Sequence, residues 1–406
     1  MYSIVLLVPF IINSLEVNVL LSIFLLSFLP LVKSLRFTNT LLTSLSLLFG
    51  ILAISFFAYF FYDNTLYNTI KDIVYLLKPF LYLLLGYVLA SKIKNKEYIF
   101  KTVIFLGLLL SVIHISKILF SLITTGIFEI TYLRYIGGKD NFLLLIACTL
   151  LVLNKKDKYF TISFRYKKLT YLILATSFIF YFSRTMVVAF LILLLASKGY
   201  TKITKKAIII GFSIMIGILV FYKALFSFDI ERGASGLEGF LYKLKIAPSE
   251  IFTTDVNMDD ASERWDHWRA YEAKRAFETM RAEKSITPFI IGMGSGSLID
   301  LGFVAPLGNE HMQYIPKIHN GYAYVFFKTG IIGISLYLLF LLNLYLQSYI
   351  RSRNDKLKFI NNYISGIAIF YLFTSFIISG IFNPKDVVSI FLGALLFLQL
   401  HYNKIA

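Results

Sequence analysis

Stretches of apolar residues recur a dozen times along this chain, most of them close to the roughly 20 residues a helix needs to cross a bilayer. They lie near 2–13, 17–33, 40–62, 71–91, 98–124, 140–154, 169–183, 185–198, 206–226, 320–347, 359–381 and 386–402. The first, sixth, seventh and eighth are short, so their ends are the least defined. With 58% hydrophobic and 16% charged residues, and a mean hydropathy of +0.73, the bulk solvent for most of the chain is lipid. Abundant Phe and Tyr beside rare Trp suit long helices with aromatic anchors at the membrane faces.

A formal charge of +17 invites comparison with nucleic-acid binders, but those cluster Lys and Arg on one folded face. Here most basic residues sit in short links between apolar runs, which excludes nucleic acid as the expected partner. The lone Cys148 rules out an internal disulfide or a cysteine-based zinc site. No basic n-region or small-residue cleavage site precedes the first apolar run, so that run is expected to stay in the membrane.

Counting every second connection as cytoplasmic gathers the basic clusters at 33–36, 92–96, 155–168, 198–206 and 351–358, while the alternate short links are mixed in sign. By the positive-inside rule both termini are then cytoplasmic and the large polar segment lies outside. Three regions follow: helices one to nine over 1–226, an outer loop over 227–318, and helices ten to twelve over 319–406. Acidic residues outnumber basic ones in the loop, which also holds both Trp residues. Residues 261–284 read as one helix, with Asp260 or Ser262 as cap and with Trp265, Trp268, Ala276 and Phe277 on an apolar face. Glu272 is expected to pair with Arg275 or Arg281 on the exposed side. No internal repeat is evident, which disfavours a secondary transporter.

Several positions carry candidate chemistry. Arg184, in Phe182-Ser183-Arg184-Thr185, stands at the outer end of a hairpin of spans. There it either snorkels or caps a helix C-terminus, or clamps a pyrophosphate bidentately. Arg264 precedes Trp268 by one helical turn and either stacks on that indole or binds an anion. The run from Ile291 to Ser297, Ile-Gly-Met-Gly-Ser-Gly-Ser, is a turn whose amides, around Gly294, could form an anion nest. It lacks the Lys of a phosphate-binding loop, so nucleotide binding is rejected. His319 and Asn320 mark the point where the loop re-enters the membrane, followed by Gly330 and Gly333, small enough for close helix packing. A neutral imidazole there is either a satisfied interfacial group or a general base for a sugar hydroxyl. Lys78, just before Pro79 inside the fourth span, is an intramembrane charge that is either functional or paired with a carbonyl freed by the proline, and Arg134, in the outer link before the sixth span, is either an anion contact or an exposed loop charge. No closely spaced His, Asp or Glu set resembles a metal site.

The order of these features resembles the O-antigen polymerase and O-antigen ligase superfamily of membrane glycosyltransferases, of GT-C type. The resemblance rests on Ser183-Arg184, on Arg264 with Trp268, on Gly292-Met293-Gly294-Ser295-Gly296, and on His319-Asn320 with Gly330 and Gly333, covering about 180–335. Ile318 departs from it, since polymerase-like members often carry Pro before the His-Asn pair. The resemblance implies an all-α, polytopic transmembrane bundle of about twelve spans in a bacterial inner membrane, with one large periplasmic loop containing short helices. It further implies glycan transfer from undecaprenyl diphosphate to a sugar hydroxyl at the periplasmic face, without metal, nucleotide or other cofactor.

In that scheme Arg184 and Arg264 hold the leaving diphosphate and His319 activates the acceptor, with Asn320, Gly294, Lys78, Arg134 and Trp268 binding substrate. Partners would be the lipid-linked oligosaccharide donor and acceptor, membrane lipids and a chain-length regulator protein. Fixed cations complement the charge that develops on the departing diphosphate. The leading expectation is a repeat-unit polymerase of O-antigen or capsule type. A ligase acting on lipid A core is the close alternative; a flippase or a non-catalytic scaffold comes from another class.

Overall fold

Every one of the dozen apolar runs is helical in a computed structural model that describes residues 1–28, 36–154, 158–161, 167–232, 236–253, 260–307, 310–352 and 354–405. Lys33, Lys155, Lys156, Arg165 and Arg353 of the basic links lie outside the described residues, as does the side chain of the candidate cap Ser262. Among the described residues, six helices are long and apolar enough to cross a membrane, and a seventh counts if Ile130–Gly137 and Phe142–Leu153, bent by 97°, form one span. The remaining runs form shorter helices. This is a multi-pass membrane protein.

The chain forms two compact units. The first combines Met1–Lys92, Ser249–Gln347 and Ile367–His401; the second combines Ile93–Pro248, Ser348–Gly366 and Tyr402–Ala406. In the first, helices Leu66–Lys92 and Val388–Ile405 cross with almost no side-chain spacing. A Cβ at Gly86 would lie 1.9 Å from the Ile390 carbonyl oxygen, and one at Gly393 would lie 2.1 Å from that of Leu83. Helix association in lipid relies on such close approach, because burying apolar surface gains little there. In the second unit Gly107 of helix Glu97–Thr125 faces Ala147 of Phe142–Leu153 in the same manner.

Helix Gly321–Tyr345 is broken at Gly330, where φ is 61° and ψ −160°. A break strips carbonyls of their partners, and in a membrane protein these must be satisfied internally. The glycine-rich turn does so. It follows the short helix Thr287–Ile291, and its Met293 and Gly294 amides donate to the carbonyls of Phe327 (2.7 Å) and Lys328 (3.1 Å). The Ser295 amide donates to Ser55 (2.9 Å), and that of Gly296 to the Asp72 carboxylate (2.7 Å). Asp72 and Lys328, both buried, pair at 2.5 Å, and the Lys328 ammonium also donates to the Ser297 carbonyl at 2.5 Å. Gly330 therefore serves the break as well as the close helix packing the sequence suggested: a Cβ there would lie 2.3 Å from the Ile290 carbonyl in Thr287–Ile291.

The polar segment holds more than short helices. Strands β1 (Ile299–Leu307) and β2 (Glu310–Ile315) pair antiparallel, from Ile299 opposite Ile315 to Leu307 opposite Glu310, with an irregularity between Asp300 and Ala305. In a two-stranded sheet each strand is an edge strand, which accommodates Pro306. The expected helix over 261–284 is two helices, Ala261–Asp266 and Trp268–Ala282. They part at His267 (φ −110°, ψ 19°), whose Nδ1 lies 3.1 Å from the Ser249 carbonyl.

Candidate active site

Helix Trp268–Ala282 sets the stage because one of its faces is buried throughout: Trp268, Tyr271, Glu272, Ala276 and Met280, spaced three and four apart. Tyr271 donates its hydroxyl to the Leu301 carbonyl, and Arg275 Nε donates to that of Asp300 (2.8 Å), fastening the helix to β1. Trp265 and Phe277, expected on this apolar face, are exposed. Glu272 was expected on the exposed side, but it is 2% exposed and pairs with neither arginine; Arg275 instead meets Glu278 at 2.6 Å.

Instead, the carboxylate of Glu272 gathers three N–H groups. Trp268 Nε1 donates to one oxygen (2.7 Å), and the His319 backbone amide donates to the other (2.9 Å). His319 Nδ1 lies 3.1 and 2.9 Å from the two. The rest of the imidazole faces outward, the side chain being 56% exposed. The chain around His319 is held from behind by Ser379, whose hydroxyl reaches the carbonyls of Ile318 (3.1 Å) and His319 (3.2 Å). Asn320 is the N-cap of helix Gly321–Tyr345, its side-chain oxygen accepting the amides of Tyr322 and Ala323.

Arg264 joins the same cluster by a different route from the one expected. Its guanidinium lies 4.9 Å from the centroid of Phe303, on β1, not on the Trp268 indole. Phe303 meets Trp268 edge-on at 6.3 Å, and Trp268 leads through its indole N–H to Glu272 and His319. Arg264 Nε is buried and has no hydrogen-bond partner among the described residues. Arg264 and His319 thus share one cluster with Phe303, Trp268 and Glu272.

Near it, Lys317 lies 4.5 Å over the Tyr75 ring and donates to the Phe382 carbonyl (3.3 Å). Desolvation, together with repulsion from Lys78, holds this ammonium well below the usual lysine range, against the pull of Glu272. Lys78 is fully buried and donates to Asn383, the next carbonyl along, so it does not satisfy the carbonyl freed by Pro79.

Gly294, a candidate contact for substrate, is buried, and its amide is engaged with Lys328. A Cβ there would stand 2.5 Å from the Tyr59 nitrogen at φ 77°. The turn does hold an anion, but that anion is the Asp72 carboxylate. Gly294→Ala is therefore expected to lower unfolding stability by more than about 2 kcal/mol through strain and overpacking. Thermal unfolding of the purified protein checks this; an unchanged midpoint with a raised KM would return Gly294 to the substrate.

Arg184 and Arg134 belong to the second unit. Arg184 opens helix Arg184–Ser197, capped by Ser183, whose hydroxyl accepts the Met186 amide (3.2 Å) and donates to Asp140. Its Nη1 donates to the Lys243 carbonyl in the last turn of Gly236–Lys245, so it does meet a helix C-terminus, that of a third helix. Arg134 lies in the short helix Ile130–Gly137. Among the described residues, no three His, Cys, Asp or Glu side chains are grouped to hold a metal ion.

Residues 169–338 match the family model described as O-antigen ligase. They form a domain of the O-antigen ligase and polymerase superfamily. No curated protein and no solved structure matches the chain. The O-antigen ligase domain contains Arg184, Arg264, Glu272 and His319, together with the glycine-rich turn and the broken helix. Sequence reasoning missed Glu272, Phe303, Ser379 and the Asp72–Lys328 pair. A signal for the first was present: Glu272 follows Trp268 by four residues, so a helix that buries Trp268 also turns Glu272 inward.

Proposed function

We propose that the protein is a membrane glycosyltransferase that extends oligosaccharide repeats carried on undecaprenyl diphosphate, working at the outer face of the bacterial inner membrane with both termini cytoplasmic. The observation that carries this reading is the single cluster in which an outward-facing imidazole is anchored on a buried carboxylate and shares its aromatic support with Arg264. His319 takes the proton of an acceptor sugar hydroxyl, and the hydroxyl oxygen forms the new bond to the anomeric carbon. The bond from that carbon to the diphosphate breaks, and its electron pair leaves with the diphosphate.

Arg264 stabilises this charge. Its guanidinium is permanently protonated and its fork matches phosphate oxygens, so no metal or cofactor is required by the scheme. Arg184 is assigned the same task. Lys78, Arg134 and Trp268 are supporting groups: Lys78 orders the 380–386 segment, Trp268 holds Glu272, and Arg134 is a further cation for the carrier.

A second reading takes the family model's description, O-antigen ligase, at its word, with lipid A core as the proposed acceptor of the glycan. Purified protein offered lipid-linked repeats alone, and then with lipid A core, separates the two. Long carrier-linked chains in the first reaction are expected of a polymerase; product only in the second makes it a ligase. Absence of product in both, with transbilayer movement of the lipid-linked repeat, would make it a flippase.

A further inference from the structure

We infer that Glu272 is a positioning residue for His319: it holds the proton on Nδ1 and so makes Nε2 the atom that accepts the proton of the sugar hydroxyl. The inference rests on the glycosyltransferase reading for its kinetic consequence, but not for the tautomer. Among the described residues, every hydrogen-bond partner of the Glu272 carboxylate is an N–H. The indole of Trp268 and the backbone amide of His319 are donors with no alternative, and they leave the two oxygens as acceptors shared with Nδ1. An imidazole placed 2.9 Å from such an oxygen gains a hydrogen bond only when Nδ1 carries the hydrogen. The opposite tautomer sets a lone pair against a carboxylate.

Burial strengthens this choice. Glu272 is 2% exposed, so water does not compete for its oxygens, whereas the His319 side chain is 56% exposed. Nε2 has no partner among the described residues and is left for substrate. The second bond, from the His319 amide to the same carboxylate, fixes the backbone from which the ring swings, so one side chain sets both the ring's tautomer and its origin. When Nε2 takes the hydroxyl proton the ring becomes a cation, and the neighbouring carboxylate stabilises it at that moment. Lys317, two residues before His319, is directed to the Phe382 carbonyl and does not occupy the carboxylate.

Glu272→Gln tests this with little change of shape, because the amide oxygen still accepts from Trp268 or from the His319 amide. The whole protein is purified in lipid nanodiscs and supplied with lipid-linked repeats. Relative to wild type, kcat is expected to fall by roughly 10²- to 10⁴-fold with KM within about threefold, and Glu272→Asp is expected to recover part of the loss. The second readout is ¹⁵N NMR of histidine-labelled protein, with His319 assigned by its loss in His319→Ala. Wild type is expected to show the Nδ1–H form, and Glu272→Gln a mixture or the reverse.

Wild-type kcat in Glu272→Gln, or a rise in KM alone, would overturn the positioning role. So would an unchanged tautomer in the variant. If the wild-type protein extends no lipid-linked glycan, the glycosyltransferase reading fails instead, and the NMR comparison still decides whether Glu272 sets the tautomer.

Discussion

His319→Ala is expected to abolish most glycan transfer, lowering kcat by about 10²- to 10⁴-fold, the range a positioned general base contributes. An acceptor hydroxyl is a weak nucleophile until its proton begins to leave. Under the proposed function His319 takes it: the ring is anchored through Nδ1 and its own amide, and its far side is exposed. The variant should still fold, since the ring is mostly exposed and Ser379 and Asn320 hold the local backbone without it.

Binding of the lipid-linked donor should likewise be nearly unchanged, because the proposed mechanism assigns the diphosphate to the arginines and not to the imidazole. Arg264→Lys should behave differently, weakening both binding and turnover, because an ammonium offers a point charge where the fork gives two parallel hydrogen bonds. Chain-length analysis of the lipid-linked product, with donor binding measured separately, checks both. Undiminished chain growth in His319→Ala excludes it as the essential base.

What could be read from the chain, and what could not, divides along physical lines. Apolar runs are local, so each of the dozen coincided with a helix, and the ends of those runs placed Ser183 and Asn320 at helix boundaries, where the structure shows both as N-caps. Periodicity placed an amphipathic helix over 261–284 and put Trp268 and Ala276 correctly on its buried face, but it misassigned the positions beside them. Trp265 and Phe277 were read as core and Glu272 as surface, because composition ranks residues by solvation and ignores a buried acceptor shared by an indole and an imidazole. The break at His267 shifts the register of the first turn, which explains why Trp265 and Trp268 differ in burial.

The glycine-rich turn was legible as a set of exposed amides, but its partner was not. Asp72 precedes Gly296 by 224 residues, and nothing local to either announces the pairing. Arg264 and Phe303 met for the same reason, through a contact between helix Ala261–Asp266 and β1 that only the fold creates.

Asp72→Asn is expected to cost about 3–5 kcal/mol of stability, the range for removing one partner of a buried ion pair. Lys328 is fully buried eight residues into a membrane helix, 256 positions from Asp72, and no other carboxylate is paired with it among the described residues. Its remaining partners, the carbonyl and hydroxyl of Ser297, are neutral and do not offset a full charge in a medium of low dielectric.

Asparagine preserves the shape and can still accept the Gly296 amide, so the loss isolates the charge. The same carboxylate joins the turn to the broken helix, so the damage should spread to the exchange of the Met293 and Gly294 amides, which close the break at Gly330. Adding Lys328→Met to Asp72→Asn should restore part of the stability, since a buried pair replaced as a unit leaves no uncompensated charge. Thermal unfolding in detergent, with amide exchange over 291–297, measures both effects. A single variant as destabilised as the double one would show that the turn depends on the lysine's hydrogen bonds to Ser297 more than on its pairing with Asp72.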